Sequence, residues 1–254
     1  MGTIDVVLGD ITQQRVDVIV TAANESLLGG GGVDGAIHRA AGPELAEAGS
    51  RLAPCEPGQA VATPAFGLAP VKHVIHTVGP VWEDGAQGED LVLTNCYLNS
   101  LLLAEELEAG SIAFPAIATG VYGFPVEQAA EIAALTIRSL AIIDTIRFVA
   151  FDQETFDALT RHMATPVEVS CPTCEARAIP IAYGTLGNPR FDGKQAGMFA
   201  LGSCFKVGDG TDPQWECANG HQWTNGERDE RRHQVAVLDA FAVTLGEDRG
   251  RSVP

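Results

Sequence analysis

The apolar residues of this chain fall into blocks that switch between two periods. Thr3–Leu8, Asp17–Ala23, Ala60–Phe66, His73–Val78, Ile112–Ile117 and Arg147–Phe151 are short and rich in β-branched residues, and each reads as a strand. Between them, 3.6-residue spacing predicts helices over Asp34–Ala41 and Pro43–Leu52, divided at Gly42, with Pro43 suited to a first helical position. Two more are expected over Asp90–Ala109, where Leu91, Leu98, Leu101, Leu102 and Leu107 form the apolar spacing, and over Gln153–Met163. Gly79–Asp90 is polar and glycine-containing, so it reads as a surface loop. Strands alternating with helices through residue 164 imply an α/β domain with helices on both faces of a mostly parallel or mixed sheet.

After Thr165 the helical spacing fades, Gly and Pro become frequent, and short β-like runs such as Ile179–Tyr183 and Gln234–Val243 stand between turns. The expected organisation is therefore an α/β domain over 1–164 and a small β-rich unit over 165–254, with no internal repeat between them.

Two strand ends carry unusual loops. The run VIVTAA (Val18–Ala23) ends at Asn24, and four consecutive glycines, Gly29–Gly32, then lead into VDGAIHRAA. Glycines there let the main chain bring its N–H groups close to a ligand with no Cβ in the way, and the helix that follows adds unpaired N–H groups and the positive end of its dipole. An anion is favoured at that place. A tight connection with Asp34 as a helix cap is the plainer reading of the same residues. The spacing matches neither G-x-x-x-x-G-K-[ST] nor G-x-G-x-x-G. The second loop, ATGVYGFP (Ala118–Pro125), also runs from a strand end into a helix, and two such loops would converge at one edge of an open sheet.

Composition narrows the function classes. The chain has 254 residues, 46% hydrophobic and 19% charged, which is ample for a sizeable core. No apolar run approaches the roughly 18 residues of a membrane helix, and MGTIDVVLGD has neither a basic region nor a cleavable apolar stretch, so a cytoplasmic protein with no membrane partner is expected. A net charge of −17 argues against general nucleic-acid binding. The acid is concentrated: residues 1–164 hold seven Lys and Arg against 21 Asp and Glu, and residues 165–254 hold nine against 12. An anionic ligand of the first unit must then be held by local backbone donors, against the global field.

With both loops in hand, the first 164 residues resemble the macrodomain family, and in particular its MacroD-type ADP-ribosyl hydrolases. The resemblance is carried by GDIT (Gly9–Thr12), AAN (Ala22–Asn24), LLGGGGVDGAIHRAAG (Leu27–Gly42), VIHTVGP (Val74–Pro80) and FPAIATGVYGFP (Phe114–Pro125), in the family's order. It implies a three-layer α/β/α fold with a mixed sheet, binding ADP-ribose above the strand ends. By the same resemblance Asp10 accepts from the adenine amino group beside the Ile11 N–H, and Phe151 stacks on the adenine. Thr119, Gly120, Val121 and Tyr122 wrap the diphosphate, and Gly30, Gly31, Gly32 and Val33 line the distal ribose and inner phosphate. Asn24 hydrogen-bonds the distal ribose. Asp34 orients or deprotonates a water that attacks the anomeric carbon, releasing an acidic side chain from its ADP-ribose ester. Asn24 and Asp34 are thus the expected catalytic pair, and no cofactor is required for the reaction.

Two positions depart from the family pattern, Thr21 where Asn is usual and Ala118 where Ser is usual. Thr21 is expected to alter support for the loop, and Ala118 to remove a hydroxyl near the phosphates. His38, four residues past Asp34, is either a proton relay or a structural histidine. His76 reads as a satisfied core residue, and Cys55 and Cys96 as small buried ones.

In the second unit, Cys171-Pro-Thr-Cys174 and Cys217-Ala-Asn-Gly-His221 offer four ligands of the type structural zinc takes in ribbon-like modules, with Trp215 and Trp223 beside them. The alternatives are unrelated cysteines with a surface histidine, a redox pair, or a ligand set that includes Cys204. Arg228, Arg231 and Arg232 alternate with Glu227, Asp229 and Glu230, which suggests a solvated helix face.

The expected function is removal of ADP-ribose from acidic side chains of modified proteins, with deacetylation of O-acetyl-ADP-ribose by the same attack. The partners are then ADP-ribose and ADP-ribosylated proteins. A reader without turnover and a hydrolase of ADP-ribosylated nucleic acid are the alternatives.

Overall fold

The computed structural model describes residues 3–139, 143–164, 171–176, 178–182, 200–201, 214–217 and 219–224. The chain divides into two compact units, Gly2–Ala164 and, apart from Met1, Thr165–Pro254.

In the first unit the strands are β1 (Thr3–Leu8), β2 (Val18–Ala23), β3 (Ala60–Pro64), β4 (His73–Val78), β5 (Ser111–Phe114) and β6 (Thr145–Ala150). They form one six-stranded sheet in the order β1-β6-β5-β2-β4-β3, parallel except for β3, which runs antiparallel to β4. The helices are α1 (Gly32–Ala41), α2 (Pro43–Ser50), α3 (Glu89–Glu106), α4 (Val126–Ser139) and α5 (Gln153–Ala164). This is the expected three-layer arrangement on a mixed sheet. Both faces of the central strands are apolar, so alternate residues feed two separate cores. Val18, Val20, Ile112, Phe114, Ile146 and Phe148 pack with residues of α3, α4 and α5. Ile19, Val74, Ala113 and Val149 pack with Ile37 and Ala41 of α1 and Leu45 of α2.

Two element limits move in ways that matter. Helix α1 begins at Gly32, with Gly31 as its cap and no side-chain cap bond, so Asp34 lies inside the first turn and does not cap it. Helix α3 buries Leu93, Cys96, Tyr97, Leu101 and Ala104, whereas Leu91 and Leu102 are 59% and 40% exposed. The expected stripe counted leucines alone, and the true face is completed by Cys96, Tyr97 and Ala104, the spacing of a helix packed along a sheet. Cys55 and Cys96 are fully buried, as expected of small core residues.

The sheet also makes the crevice. Strand β2 pairs with β4 along its whole length but with β5 only at Val18↔Ile112 and Ile19↔Ala113. Beyond Ile19 and Ala113 the two strands no longer pair. The chain then leaves β2 for α1 on one face and β5 for α4 on the other, and a sheet that parts this way opens a cleft at the carboxyl ends of its strands.

In the second unit β7 (Ala178–Ala182), β8 (Ala200–Leu201), β9 (Trp215–Cys217) and β10 (Gln222–Trp223) form a four-stranded sheet ordered β10-β9-β7-β8. Strand β7 covers most of the expected Ile179–Tyr183 run. Cys204, Gln234–Val243 and the arginine and acid cluster at 227–232 lie outside the described residues.

Candidate functional site

The crevice between the ends of β2 and β5 holds about 710 Å³, and every residue assigned to ADP-ribose by the sequence lines it. Asp10 and Ile11 stand at one end with Phe151, Asn24 and Gly30–Asp34 come from the first loop, and Thr119–Tyr122 from the second. Phe151 and Val121 are 90% and 95% exposed, so two large apolar side chains stand at the crevice with little packed on them. Four carboxyl residues line it, Asp10, Asp34, Asp152 and Glu154, against one cation, Arg39. Sequence reasoning missed Arg39, Asp152 and Thr155. Arg39 follows His38 in the helix motif, but its reach over the loop, with Nη1 3.1 Å from where a Cβ on Gly35 would sit, is a fact of packing.

Asp34 is the most constrained group in the crevice. It is 3% exposed, and its Oδ1 accepts a hydrogen bond from the Thr21 hydroxyl at 2.9 Å. Thr21, expected to support the loop, instead touches the carboxylate. Burial raises the Asp34 pKa above the ordinary aspartate value, opposed by the Thr21 hydroxyl and by the charge of His38. His38 Nε2 lies 3.6 Å from Asp34 Oδ1, an ion-pair distance but too long for a hydrogen bond.

His76 is fully buried, accepts from or donates to Thr63 through Nε2 at 3.0 Å, and has its pKa lowered to about 4 by burial and then by the charge of His38. It is a neutral core residue, but not the satisfied one expected: only Nε2 is bonded, and Nδ1 is buried without a hydrogen-bond partner. Asp34, His38 and His76 each offer a ligand atom within 4.8 Å of the others, so their polar atoms face one small space.

The first loop is folded tightly over this group. Asn24 Oδ1 accepts from the Ser26 N–H at 3.1 Å and the Ser26 hydroxyl at 2.6 Å, while its Nδ2 donates to the Gly29 carbonyl at 3.2 Å. Asn24 therefore closes the loop that it was expected to serve as a ligand contact. A Cβ on Gly30 would lie 3.3 Å from Asn24 Nδ2 and 3.5 Å from Asp34 Oδ2, and one on Gly35 only 2.3 Å from the Gly30 carbonyl oxygen. These glycines bring the main chain down onto Asn24 and Asp34, and the uncapped first turn of α1 leaves N–H groups free for an anion.

In the second loop the Thr119 hydroxyl donates to the Ala116 carbonyl at 3.1 Å, and turns close from Gly123 N–H to Gly120 and from Phe124 N–H to Ala118. Ala118 has φ of 66°, a left-handed conformation costing a non-glycine residue about 1 kcal/mol. Tyr122 is half-buried, and burial together with the charges of Glu25 and Asp34 raises its pKa. At the other end Asp10 Oδ1 accepts from the Thr12 N–H and hydroxyl, both at 2.8 Å, which orients the carboxylate with its Oδ2 left for a donor.

In the second unit, one ligand atom from each of Cys171, Cys174, Cys217 and His221 lies within 4.8 Å of the others. Cys171 Sγ and Cys217 Sγ are 3.5 and 3.6 Å from His221 Nδ1, and Cys174 Sγ is 3.7 Å from Cys217 Sγ. A tetrahedral zinc with ordinary bond lengths needs S···S of about 3.8 Å and S···N of about 3.6 Å, so the donor set fits a zinc ion. All four sit in a β-rich unit, and Asn219 Nδ2 donates to Cys174 Sγ at 3.3 Å.

A sheet that opens at the ends of β2 and β5, with a glycine loop above a buried Asp, defines a class of α/β ligand-binding domain, and comparison with known proteins says which. The Macro domain family model matches residues 20–133. The chain is 57% identical over 159 residues to an Escherichia fergusonii protein named O-acetyl-ADP-ribose deacetylase, covering 59% of this chain and 89% of that one. It is 48% identical over 160 residues to a Macro domain-containing protein of Methanosarcina mazei, covering 61% and 85%. Among solved structures it resembles a glycine-to-valine mutant of the Oceanobacillus iheyensis macrodomain with ADPR, with a TM-score of 0.60, 41% identity and coverage of 64% and 92%. It also resembles the Trypanosoma brucei macrodomain in complex with ADP-ribose, with a TM-score of 0.56, 36% identity and coverage of 61% and 68%. The chain belongs to the Macro domain family.

Proposed function

We propose that this chain is an ADP-ribose-binding hydrolase that removes ADP-ribose from acidic side chains of modified proteins and deacetylates O-acetyl-ADP-ribose with the same activated water. The observation that carries the reading is Asp34: a buried carboxylate, bonded to Thr21, with Oδ2 directly beneath the glycine loop. A reader needs only donors and an aromatic surface, and nothing in binding calls for a carboxylate held where burial disfavours its charge.

In this reading the adenine lies between Phe151 and the Asp10 carboxylate. The diphosphate is held by main-chain N–H groups of Gly120–Tyr122 and of the first turn of α1, since the surrounding charge is negative. Asp34 accepts a proton from a water set between the inner phosphate and the distal ribose. For the protein ester the hydroxide attacks the ribose carbon and expels the side-chain carboxylate. For the acetyl compound it attacks the ester carbonyl, releasing acetate while the ribose oxygen leaves as a hydroxyl with the proton returned by Asp34. Its raised pKa makes Asp34 a better base than an exposed aspartate, and the Thr21 hydroxyl favours its ionised form. The Asn24 amide fixes the loop and presents its remaining N–H to the ribose.

The Cys171, Cys174, Cys217 and His221 set is assigned to a structural zinc, because four protein ligands leave no open position. The cytoplasm, where thiols stay reduced, suits such a site. The deciding experiment measures release of ADP-ribose from a protein automodified on Glu and Asp, beside calorimetric titration of free ADP-ribose. Release with binding supports the hydrolase, and binding with no release from either the protein or O-acetyl-ADP-ribose sinks it in favour of a reader.

A further inference from the structure

Glu89 sits outside the crevice, yet its carboxylate organises a strap that reaches one of the crevice loops. It is 3% exposed at the start of α3. Its Oε1 accepts backbone N–H groups of Glu83, Asp84 and Gly85 at 3.2, 3.4 and 3.1 Å, and its Oε2 that of Gln87 at 2.7 Å. Its own backbone N–H first, then those of Gly85, Glu83 and Gln87, hold its pKa down at about 2, so the carboxylate stays ionised at any working pH. A charge collecting four main-chain donors from a five-residue stretch is a device for fixing that stretch.

The strap presses on Trp82. Gly85, with φ of +80°, lies so close to the indole that a Cβ there would sit 2.6 Å from it. The Trp82 ring also packs against Phe124, tilted, with centroids 4.6 Å apart. The Trp82 backbone N–H donates to the Tyr122 carbonyl at 2.8 Å. Trp82 therefore links Glu89's strap to the loop Gly120–Phe124, of which Gly120, Val121 and Tyr122 line the crevice.

We propose that Glu89 is a positioning residue for the crevice, acting through Gly85 and Trp82 to fix Tyr122 and the N–H groups of the second loop. This rests on the reading of the crevice as an ADP-ribose site. The clamp touches the end occupied by the diphosphate and distal ribose and leaves the Asp10 and Phe151 end alone. The consequence is selective: loss of the clamp weakens ligands that extend past the first phosphate and spares those that do not.

The test compares ADP-ribose and AMP binding by calorimetry for the full chain, Glu89→Gln and Gly85→Ala, at a temperature where each is folded by circular dichroism. Glu89→Gln keeps the shape but turns an amide toward N–H donors, and Gly85→Ala pushes on the indole with Glu89 intact. Both are expected to weaken ADP-ribose about tenfold while AMP changes less than twofold. Equal loss for both ligands, or no loss for either, overturns the proposal, since a merely structural role lowers melting temperature without splitting the two. If the unmodified chain binds neither ligand, the ADP-ribose reading fails. Hydrogen exchange then decides the clamp: faster exchange at the Trp82 amide in Glu89→Gln upholds it, and unchanged exchange overturns it.

Discussion

The Thr21 hydroxyl donates a 2.9 Å hydrogen bond to Oδ1 of Asp34, joining the middle of the central strand to the first turn of the helix beside it. Both residues are buried. The bond favours the ionised carboxylate, while desolvation disfavours it and prevails, so the Asp34 pKa ends above the ordinary value of 3.8. Activity at neutral pH thus depends on a balance that one hydroxyl adjusts.

Thr21→Val keeps the shape and deletes the donor. Asp34 loses the interaction that lowered its pKa, so the acid limb of kcat/KM moves to higher pH than in the unmodified chain. Leaving a buried oxygen without its donor also costs about 1–3 kcal/mol of stability at neutral pH. A pH profile of ADP-ribose release for the two proteins checks the shift; an unmoved acid limb means Asp34 is not the titrating base.

Asp34→Asn is expected to lower kcat by roughly 10²–10⁴-fold while ADP-ribose affinity holds within a few-fold, because the amide is no base but fills the same space. The variant should also melt higher. A carboxyl whose folded pKa is raised contributes stability that is full below its unfolded pKa and is lost as pH rises through the folded value. The amide avoids that loss. Its advantage should be present at pH 7 and vanish below about pH 4. Melting curves at pH 4 and pH 7 measure it.

Much of this was readable from residue order. VIVTAA could only be a doubly buried strand, and a glycine run entering VDGAIHRAA could only be a turn into a helix, so the crevice loops were legible. What was not legible depends on distance in space. The Thr21 contact with Asp34 spans 13 residues, and Arg39 enters the crevice only through close packing on Gly35. The inward face of α3 was misjudged because Tyr97 and Ala104 bury while Leu91 and Leu102 do not. Glu89 gave no signal at all, since an acid at a helix start ordinarily reads as favourable to the dipole and nothing more.

Gly31 and Gly35 should behave oppositely on substitution by Ala. A Cβ on Gly31 meets nothing within 4 Å and its φ of −91° suits any residue, so Gly31→Ala should melt within a degree or two of the unmodified chain. A Cβ on Gly35 falls 2.3 Å from the Gly30 carbonyl oxygen and 3.1 Å from the Arg39 guanidinium. Main-chain atoms cannot yield cheaply, so Gly35→Ala should cost roughly 1–3 kcal/mol and lift the glycine loop from Asp34. Calorimetry should show ADP-ribose binding at least tenfold weaker in Gly35→Ala; equal behaviour of the two variants would contradict the close approach.

Zinc removal should unfold the second unit and spare the first. Cys171, Cys174, Cys217 and His221 stand at distances suited to tetrahedral coordination, and the described part of their unit consists of short strands around them. Protein purified without chelator should carry one zinc per chain, and Cys174→Ser with Cys217→Ser should carry none. All crevice residues belong to Gly2–Ala164, so ADP-ribose affinity should remain within twofold after chelation while the second unit loses its hydrogen-exchange protection. Metal analysis finding no zinc, or protection surviving chelation, would remove the metal assignment and leave the four side chains as a thiol cluster.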